Sequence, residues 1–404
     1  MQKLGGAAIR MKRGEAEYLF GEKEIQVIPM IPFEAQVCEF LDRLSKALRE
    51  DLEVKQYPDI MTFAFWIRKA NILKLKALYQ KKEVRVGKGL IFHIAPSNVP
   101  INFAYTFVFG LLSGNSNIVK VSSKRFIQTD LICKIMNQLI LEGFDWVAKR
   151  NAIVLYRQEE VELTREFSYA CDGRVIWGGD QTIAEIRKAP LQPRSVEITF
   201  ADRYSFGIIS AKAILDASDK ERVILAKNFY NDTYLMDQNA CSTPHLICWM
   251  GTEEEVEAAK ELFWKEVYQK SKSYPLEEIK ASEKYTIFCE MAANGVLSSW
   301  KRYDNFLYVG QLLELPQDIC RLRGKFGLFY EYHLKNWKEL SGRLGKKVQT
   351  CAIYGIESSE VSDWIVESHS MGVDRIVPFG KTLDIGLTWD GYDVIYTLSR
   401  CIAI

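Results

Sequence analysis

One cysteine lies in a sequence that suits nucleophilic chemistry. Cys241 follows Asp-Gln-Asn-Ala and precedes Ser-Thr-Pro, a polar segment typical of a turn. The thiolate is the reactive form of cysteine in acyl transfer, and the N–H groups at a helix start favour it. We therefore expect Cys241 near a helix start, and from the residues alone a covalent nucleophile and an ordinary residue of a polar turn are both open. Most of the other eight cysteines, such as Cys133, Cys248 and Cys351, lie in or beside apolar runs and are expected to be buried.

A turn bounded by prolines carries a second candidate. Asn98 lies between Pro96 and Pro100. An asparagine amide can donate to a developing oxyanion without transferring a proton. The same side chain can instead cap the helix that follows. From the residues alone, both roles are open.

Two further segments are candidates for binding a nucleotide. Lys120 ends a predicted strand beside small polar residues, which suits ribose hydroxyls or phosphate, although a solvated strand end is the alternative. Gly178 and Gly179 follow another predicted strand and open a helix, where a pyrophosphate can rest. An ordinary turn explains the two glycines equally well. The chain has no G-x-G-x-x-G motif, so the usual Rossmann fingerprint is absent.

The elements that must position these residues alternate along the chain. From Glu83 onward, short apolar strands alternate with helices, which is typical of a parallel α/β sheet. A second alternating series begins near Ser205. We predict a cofactor-binding domain with an N-terminal lead-in at residues 1–205, a catalytic domain with Cys241 at 206–378, and a strand-rich tail at 379–404 that is a candidate oligomerisation strand.

Composition excludes several classes of protein. Lys and Arg number 53 against 52 Asp and Glu, so there is no basic excess to favour nucleic acid. The first residues lack the apolar core of a signal peptide, and no apolar segment reaches the roughly 18 residues of a membrane span. Nine cysteines without a repeating spacing and four scattered histidines favour a reducing compartment over disulfides or a metal site. We expect a cytoplasmic protein without a metal.

The order of these segments resembles the aldehyde dehydrogenase superfamily. Within it, the chain is most similar to the acyl-CoA reductases of the LuxC type, the fatty-acid reductases of bacterial luminescence. The resemblance covers about residues 84 to 400, and its last motif is specific to that subfamily. The motifs are His93–Pro100, Gly114–Lys120, Asp237–Pro244 and Gly372–Gly380, the last followed by Trp389–Tyr392.

The resemblance implies an aldehyde-dehydrogenase-like fold of two α/β domains with a small strand-rich tail. By position, Cys241 matches the nucleophile of the superfamily. Asn98 matches the amide that forms the oxyanion hole with the N–H of Cys241. Glu197 falls near the catalytic glutamate, although Ile-Thr-Phe follows it where the family has a glycine pair.

The resemblance also assigns the cofactor residues. Lys120 matches the lysine that binds the adenosine ribose, Gly178 and Gly179 fall at the glycine turn beside the cofactor, and Phe326 lies in a partial counterpart of a ribose-binding motif. NAD-preferring relatives have a carboxylate three residues after the lysine, whereas this chain has Ser123 with Lys124 beside it. A cation in place of a carboxylate favours a 2′-phosphate. We therefore expect NADPH, with NADH as the alternative.

The implied function is the NADPH-dependent reduction of an acyl-CoA or acyl-protein thioester, with a fatty acyl group, to the aldehyde through an acyl-enzyme on Cys241. An acyl-protein synthetase and a second copy of the chain are candidate partners. The aromatic side chains from Phe103 to Phe109 could line an acyl tunnel, but core packing is the stronger interpretation. The alternatives are a hydrolytic aldehyde dehydrogenase and a non-catalytic acyl-binding component of a reductase complex.

Overall fold

The computed structural model describes residues 7–10, 16–79 and 83–404. Of the lead-in predicted at the N-terminus, residues 1–6 and 11–15 lie outside the described residues. The chain divides into two compact units. Unit 1 comprises Met1–Ala201 with Gly386–Ile404, and unit 2 comprises Asp202–Ile385. The first change of unit lies between Ala201 and Asp202, and the second lies between Ile385 and Gly386.

Unit 1 contains a parallel sheet with helices in its connections. The strands before residue 202 are β1 (Ala7–Arg10), β2 (Glu17–Gly21), β3 (Glu24–Val27), β4 (Val84–Gly87), β5 (Leu90–Ile94), β6 (Ser116–Val121), β7 (Asn151–Leu155), β8 (Gly173–Trp177) and β9 (Val196–Phe200). The helices are α1 (Ala35–Glu50), α2 (Pro58–Trp66), α3 (Lys69–Tyr79), α4 (Asn102–Leu112), α5 (Ile127–Leu139), α6 (Asp145–Arg150), α7 (Val161–Ala170) and α8 (Asp180–Ile186). Val54–Gln56 forms a 3₁₀ turn and Ile140–Phe144 a π turn.

The main sheet of unit 1 has the order β2, β7, β6, β5, β8, β9. Strand β2 runs antiparallel to β7, and the other neighbouring pairs are parallel. All residues of β5 are buried, as expected for a parallel strand covered on both faces. The strand–helix alternation predicted from Glu83 onward is therefore confirmed.

Helix α4, which follows the Asn98 turn, is buried along its whole length. It consists almost entirely of apolar and aromatic residues, so it suits the interior of a domain. The ring of Tyr105 lies 5.0 Å from that of Trp66, and the ring of Phe109 lies 5.9 Å from the same indole. The aromatic side chains of α4 thus belong to the core of unit 1. Among the described residues, no helix combines the length and apolar character needed to cross a bilayer.

Unit 2 repeats the strand–helix alternation. Its strands are β10 (Tyr204–Ser210), β11 (Pro244–Met250), β12 (Leu297–Tyr303), β13 (Leu307–Leu312), β14 (Leu328–His333), β15 (Val348–Tyr354) and β16 (Arg375–Pro378). Its helices are α9 (Ala211–Asp216), α10 (Asp219–Thr233), α11 (Glu253–Ser271), α12 (Glu278–Ala293) and α13 (Ser358–Glu367). Short 3₁₀ helices occur at Tyr234–Met236, Ile319–Arg321 and Trp337–Leu340.

The sheet of unit 2 has the order β12, β13, β14, β11, β10, β15, β16, with only β12 antiparallel to its neighbour. Successive residues of β10 enter different cores, because side chains alternate along a strand. Ile209 belongs to the cluster that includes α10 and α11, and Ile208 to a cluster that includes residues of β15. Thr252 and Glu255 form a capping box at the start of α11.

The C-terminal segment of unit 1 contains β17 (Thr388–Trp389), β18 (Tyr392–Asp393), α14 (Val394–Thr397) and β19 (Ser399–Ile402). Strand β19 pairs antiparallel with β4 of the same chain. The buried guanidinium of Arg85 in β4 donates to the carbonyls of Tyr396 and Ser399 at 2.8 and 2.9 Å. These bonds attach the segment to unit 1, and its role in oligomerisation stays a prediction.

Candidate active site

The site residues predicted in unit 1 lie near the ends of strands, or just after strands, that end at one edge of the sheet. Strand β5 lies between β6 and β8, and Ile94 is opposite both Lys120 and Ile176. The turn with Asn98 follows β5, and the turn with Gly178 follows β8. The chain leaves β5 towards β6 on one side and later returns to β8 on the other. Ligands of open α/β sheets bind at the carboxyl ends of the strands where the order reverses in this way.

Asn98 lies in the bend between β5 and α4, and its side chain is exposed. The residue that precedes α4 is Ile101, and no side chain caps the helix. The alternative role of Asn98 as a helix cap is therefore not realised. Its amide lies at the surface of unit 1, where the two N–H groups are able to donate to a ligand.

A buried polar network lies behind this turn. Nδ1 of His93 is 2.7 Å from Oγ1 of Thr106 in α4, and Nε2 is 3.0 Å from Oδ1 of Asn117 in β6. Trp177, at the end of β8, donates its indole N–H to the same Thr106 oxygen at 3.2 Å. An amide oxygen only accepts, so Nε2 carries the proton and Thr106 donates to Nδ1. Burial lowers the pKa of His93 to about 4, which keeps the ring neutral near pH 7.

The residues predicted to bind the adenosine end of the cofactor differ in exposure. Lys120 is half-buried, and its ammonium group lies 4.9 Å from the centroid of the Tyr156 ring. Burial lowers the pKa of Lys120. Ser123 and Lys124 follow the end of β6 and are exposed, and the N–H of Lys124 donates to Oγ of Ser122 at 3.1 Å. Lys120 is thus a partly desolvated cation and Lys124 an exposed one, and cations of this kind suit a phosphate group.

The glycine turn after β8 leaves its main chain open. The N–H of Gly178 donates to the carbonyl of Phe200 at 3.1 Å, which continues the pairing of β8 with β9. Gly179 precedes α8 and is exposed. A Cβ atom on Gly179 would meet no other atom within 4 Å, whereas one on Gly178 would lie 3.1 Å from Thr182. A ligand can therefore approach the main chain at Gly179 closely.

The carboxylate of Glu197 forms ion pairs with two arginines. It lies in β9 opposite Arg174 of β8. Its carboxylate accepts from Nε of Arg174 at 2.9 Å and from Nε of Arg187 at 2.6 Å. The Arg174 side chain is only 3% exposed, so Glu197 balances a buried charge. The geometry is that of a structural ion pair, and it gives no support to the catalytic role predicted for Glu197.

Cys241 is exposed and lies in a turn of unit 2. The turn follows the 3₁₀ helix Tyr234–Met236 and leads into β11, so the expectation of a helix start at Cys241 is wrong. Pro244 begins a strand that pairs with β10, which directs the chain into the sheet. The hydroxyl of Ser205 donates to the carbonyl of Cys241 at 2.8 Å and accepts from the N–H of Thr350 at 3.2 Å. The main chain at Cys241 is thereby attached to two strands.

The burial predicted for other cysteines is confirmed. Cys133, Cys248 and Cys351 are buried, and burial raises the pKa of each thiol. A buried thiol with a raised pKa has little reactive thiolate. Cys289 and Cys401 are exposed like Cys241, so exposure by itself does not distinguish the nucleophile.

Phe326 is placed differently from its predicted role. The side chain is 8% exposed and packs in the buried cluster beneath α10 and α11. Its carbonyl accepts from the ammonium group of Lys284 at 2.9 Å. The ring fills the core of unit 2, so the geometry of that unit gives no support to a cofactor contact.

Two residues that position these segments are absent from the sequence-based predictions. His93 is a polar residue in the apolar strand Leu-Ile-Phe-His-Ile, and Gln238 lies three residues before Cys241 in the polar turn. A polar residue inside an apolar strand signals a buried partner, since a buried polar group without one is costly. For Gln238 the local sequence holds no such signal, because its partners lie far along the chain, at Gly327 and Leu328.

The comparisons with known proteins identify the family. The family model described as acyl-CoA reductase (LuxC) matches residues 34–303. The chain belongs to this family. Two long-chain acyl-protein thioester reductases are similar to it: that of Photorhabdus luminescens is 25% identical over 170 residues, and that of Photorhabdus laumondii 29% identical over 175 residues. Each match covers 42% of this chain and 33% of the relative, so this chain matches only about a third of the length of these relatives.

Solved structures confirm the fold class. A putative aldehyde dehydrogenase from Burkholderia cenocepacia is 14% identical, with a TM-score of 0.63, and the match covers 92% of this chain and 87% of that one. The 1-pyrroline-5-carboxylate dehydrogenase from Thermus with bound NAD matches with a TM-score of 0.58 at 13% identity, over 92% of this chain and 80% of that one. The glyceraldehyde-3-phosphate dehydrogenase from Methanocaldococcus jannaschii complexed with NADP matches with a TM-score of 0.57 at 14% identity, over 91% and 86%. The chain has the predicted aldehyde-dehydrogenase-like fold.

Proposed function

We propose that this protein reduces a fatty acyl thioester to the aldehyde with NADPH, through an acyl-enzyme on Cys241. One observation carries the proposal: in a chain of the acyl-CoA reductase family, the cysteine that matches the nucleophile is exposed on a turn anchored to the sheet. An acyl-transfer nucleophile must be reached by its substrate, and the buried cysteines are not.

The proposed reaction begins with the Cys241 thiolate attacking the carbonyl carbon of the thioester. A new carbon–sulfur bond forms, the donor's carbon–sulfur bond breaks, and the donor thiolate takes up one proton. NADPH, held by Lys120, Lys124 and the main chain at Gly179, would supply the hydride that reduces the carbonyl carbon of the acyl-enzyme. The resulting alkoxide collapses, the bond to Cys241 breaks, and the aldehyde leaves while the thiolate is regenerated. In balance, one thioester, one NADPH and one proton give one aldehyde, one thiol and one NADP⁺.

The role proposed for Asn98 is to stabilise negative charge on the carbonyl oxygen. Its exposed amide, together with the N–H of Cys241, would donate to this oxygen in both steps. A donor of this kind lowers the barrier by about 2.7–4 kcal/mol. Since the helix after the turn does not use Asn98 as a cap, the amide is available for this purpose.

The carboxyl edge of the sheet in unit 1 fits NADPH. Lys120 and Lys124 present cations at the end of β6, and the position that holds a carboxylate in NAD-preferring relatives is Ser123. The main chain at Gly179 is open to a pyrophosphate. Structurally similar dehydrogenases have been solved with NAD and with NADP, so the fold accommodates either cofactor. The cations favour NADPH, and NADH is the alternative to be measured.

The surroundings of Glu197 favour reduction over oxidation of an aldehyde to an acid. Hydrolysis of an acyl-enzyme needs a base to activate water, whereas thioester exchange does not. The carboxylate predicted for that base accepts from Arg174 and Arg187. The names of the relatives favour an acyl group delivered on a protein, and an acyl-protein synthetase is the partner we propose for its delivery.

The proposal is tested with purified protein, a series of acyl-CoA thioesters and either NADPH or NADH. We expect consumption of reduced cofactor with formation of aldehyde, faster with NADPH and with long acyl chains. Cys241→Ala should abolish both, and Cys289→Ala, which changes another exposed cysteine of unit 2, should leave both unchanged. Full reductase activity in Cys241→Ala would contradict the mechanism.

A further inference from the structure

The turn that carries Cys241 contains two successive residues in a strained conformation. Asp237 and Gln238 have φ values of 52° and 58°, in the left-handed region. Residues with a Cβ atom rarely adopt this conformation, and they do so mostly as single residues. Such backbone persists only where surrounding contacts determine it, and it is concentrated at functional sites.

The side chain of Gln238 holds the turn from one side. It is 2% exposed, and both ends of its amide bond to the main chain at the start of β14. Nε2 donates to the carbonyl of Leu328 at 3.0 Å, and Oε1 accepts from the N–H of Gly327. Gly327 has a φ of 95°, and a Cβ atom there would lie 2.2 Å from the carbonyl oxygen of Phe306. The partner segment is therefore as tightly defined as the turn.

The side chain of Asp237 holds the turn from the other side. Its carboxylate accepts from the hydroxyl of Tyr274, and the ammonium group of Lys280 lies 3.2 Å from Oδ2. The main chain adds two bonds, because the N–H of Asp237 donates to Tyr234 at 3.0 Å and that of Gln238 to Thr233 at 2.9 Å. Helix ends followed by left-handed residues are closed by bonds of this kind. These four contacts and the two bonds of the Gln238 amide together hold the strained conformation.

We infer that Gln238 and Asp237 are positioning residues for the Cys241 thiol. They touch no reacting atom; they hold the chain in the conformation from which Cys241 projects to the surface. This inference rests on the proposed function and adds the device by which the nucleophile is placed. A displacement of about 1 Å at a reacting group lowers the rate by up to about a hundredfold.

Two substitutions of Gln238 separate the effect of losing the amide bonds from the effect of backbone strain. Gln238→Met keeps the length of the side chain but loses both bonds, so the strained backbone loses the support of this side chain. Gln238→Gly also loses both bonds, but glycine adopts the left-handed conformation without strain. We expect kcat to fall tenfold or more in Gln238→Met and less in Gln238→Gly, with the KM for NADPH unchanged in both. Gln269→Met, at an exposed glutamine of α11, is the matched control.

A second measurement keeps the inference independent of turnover. The rate at which iodoacetamide alkylates Cys241, followed by peptide mass spectrometry, should change at least threefold in Gln238→Met and remain at the wild-type value in Gln269→Met. Both rates are taken well below the thermal transition of each variant, so loss of fold is not measured. Wild-type kcat and alkylation in Gln238→Met would overturn the inference while leaving the proposed function intact. An equal loss in the methionine and glycine variants would overturn the role of backbone strain.

Discussion

The two units position their proposed site residues in different ways. In unit 1, Asn98 and Gly178 follow strands β5 and β8, and Lys120 lies near the end of β6, so the pairing of the parallel strands brings them to one edge. In unit 2, Cys241 lies in a turn with two left-handed residues, held by side-chain bonds from Asp237 and Gln238. The first arrangement follows from regular structure, whereas the second depends on individual contacts.

Because the two arrangements differ, we expect amino-acid substitutions to act differently in the two units. A turn at the end of a strand keeps its position when its own side chain is replaced, because the strand and the buried network of His93, Thr106 and Asn117 remain. A strained turn loses its position when one supporting side chain is replaced. We therefore expect substitutions at the edge of unit 1 to act through lost contacts with the substrate, and those around Cys241 to act through displacement.

Among the variants that test this comparison, the largest effect on kcat is expected for Asn98→Ala. It should lower kcat by about a hundredfold, since it removes one donor to the oxyanion. The melting temperature should remain within about 1 °C of wild type, because an exposed side chain away from special contacts adds little stability. Steady-state kinetics and thermal unfolding check both expectations, with Asn137→Ala on the surface of α5 as the control. A loss of kcat below about threefold would remove Asn98 from the oxyanion hole.

The buried network of unit 1 predicts a pH dependence of stability. The pKa of His93 is lowered to about 4 by burial, whereas an unfolded histidine titrates near 6.5. The unfolded state therefore binds the proton first on acidification. The free energy of unfolding is fully retained above pH 6.5 and falls by up to about 1.4 kcal/mol for each unit between about 6.5 and 4.

Variants identify which histidine causes this change of the free energy of unfolding with pH, referred to here as the slope. The pKa of His245 in unit 2 is also lowered, to about 3, by burial and by Arg323, so both units contribute to the wild-type slope. His93→Gln should show a smaller slope in urea unfolding measured at several pH values, and His369→Gln, at an exposed position, should keep the wild-type slope. An unchanged slope in His93→Gln would show that the histidine of the network is not the group responsible.

The smallest effect on kcat is expected for Glu197→Gln. The variant should lower the free energy of unfolding by about 1.5–3 kcal/mol, because it weakens charge-assisted bonds to the buried Arg174. The value of kcat should stay within about twofold of wild type. Glu185→Gln, in an exposed pair with Lys188, is the matched control and should cost less than about 1 kcal/mol. A large loss of kcat in Glu197→Gln would support a catalytic role for Glu197 and would contradict the comparison between the two units.

The regular parts of the fold were predictable because their sequence patterns are local. Apolar strands alternate with helices, and capping residues such as Thr252 and Glu255 mark where helices begin. The family motifs located Asn98, Lys120 and Cys241 as candidates. What the residues could not predict is which side chains already have other partners: Glu197 bonds to Arg187, and Phe326 packs in a core. Each of these depends on tertiary packing.

The turn at Cys241 also depends on tertiary contacts that the sequence alone does not reveal. A polar segment before a cysteine suggested a helix start, and the chain instead enters β11. The conformation depends on Gln238 reaching Leu328, which lies 90 residues further along the chain. Such a contact leaves no periodic pattern near the cysteine, so only the folded chain reveals it.

The central claim is tested most directly by the mass of the protein after incubation with a long-chain acyl-CoA in the absence of NADPH. We predict one added acyl group, localised by peptide mapping to Cys241, which disappears on addition of NADPH as aldehyde is released. The same experiment on Cys241→Ala should show no adduct, and Cys289→Ala should behave like wild type. An acyl group found on another residue, or an adduct on Cys241 that NADPH does not remove, would contradict the account.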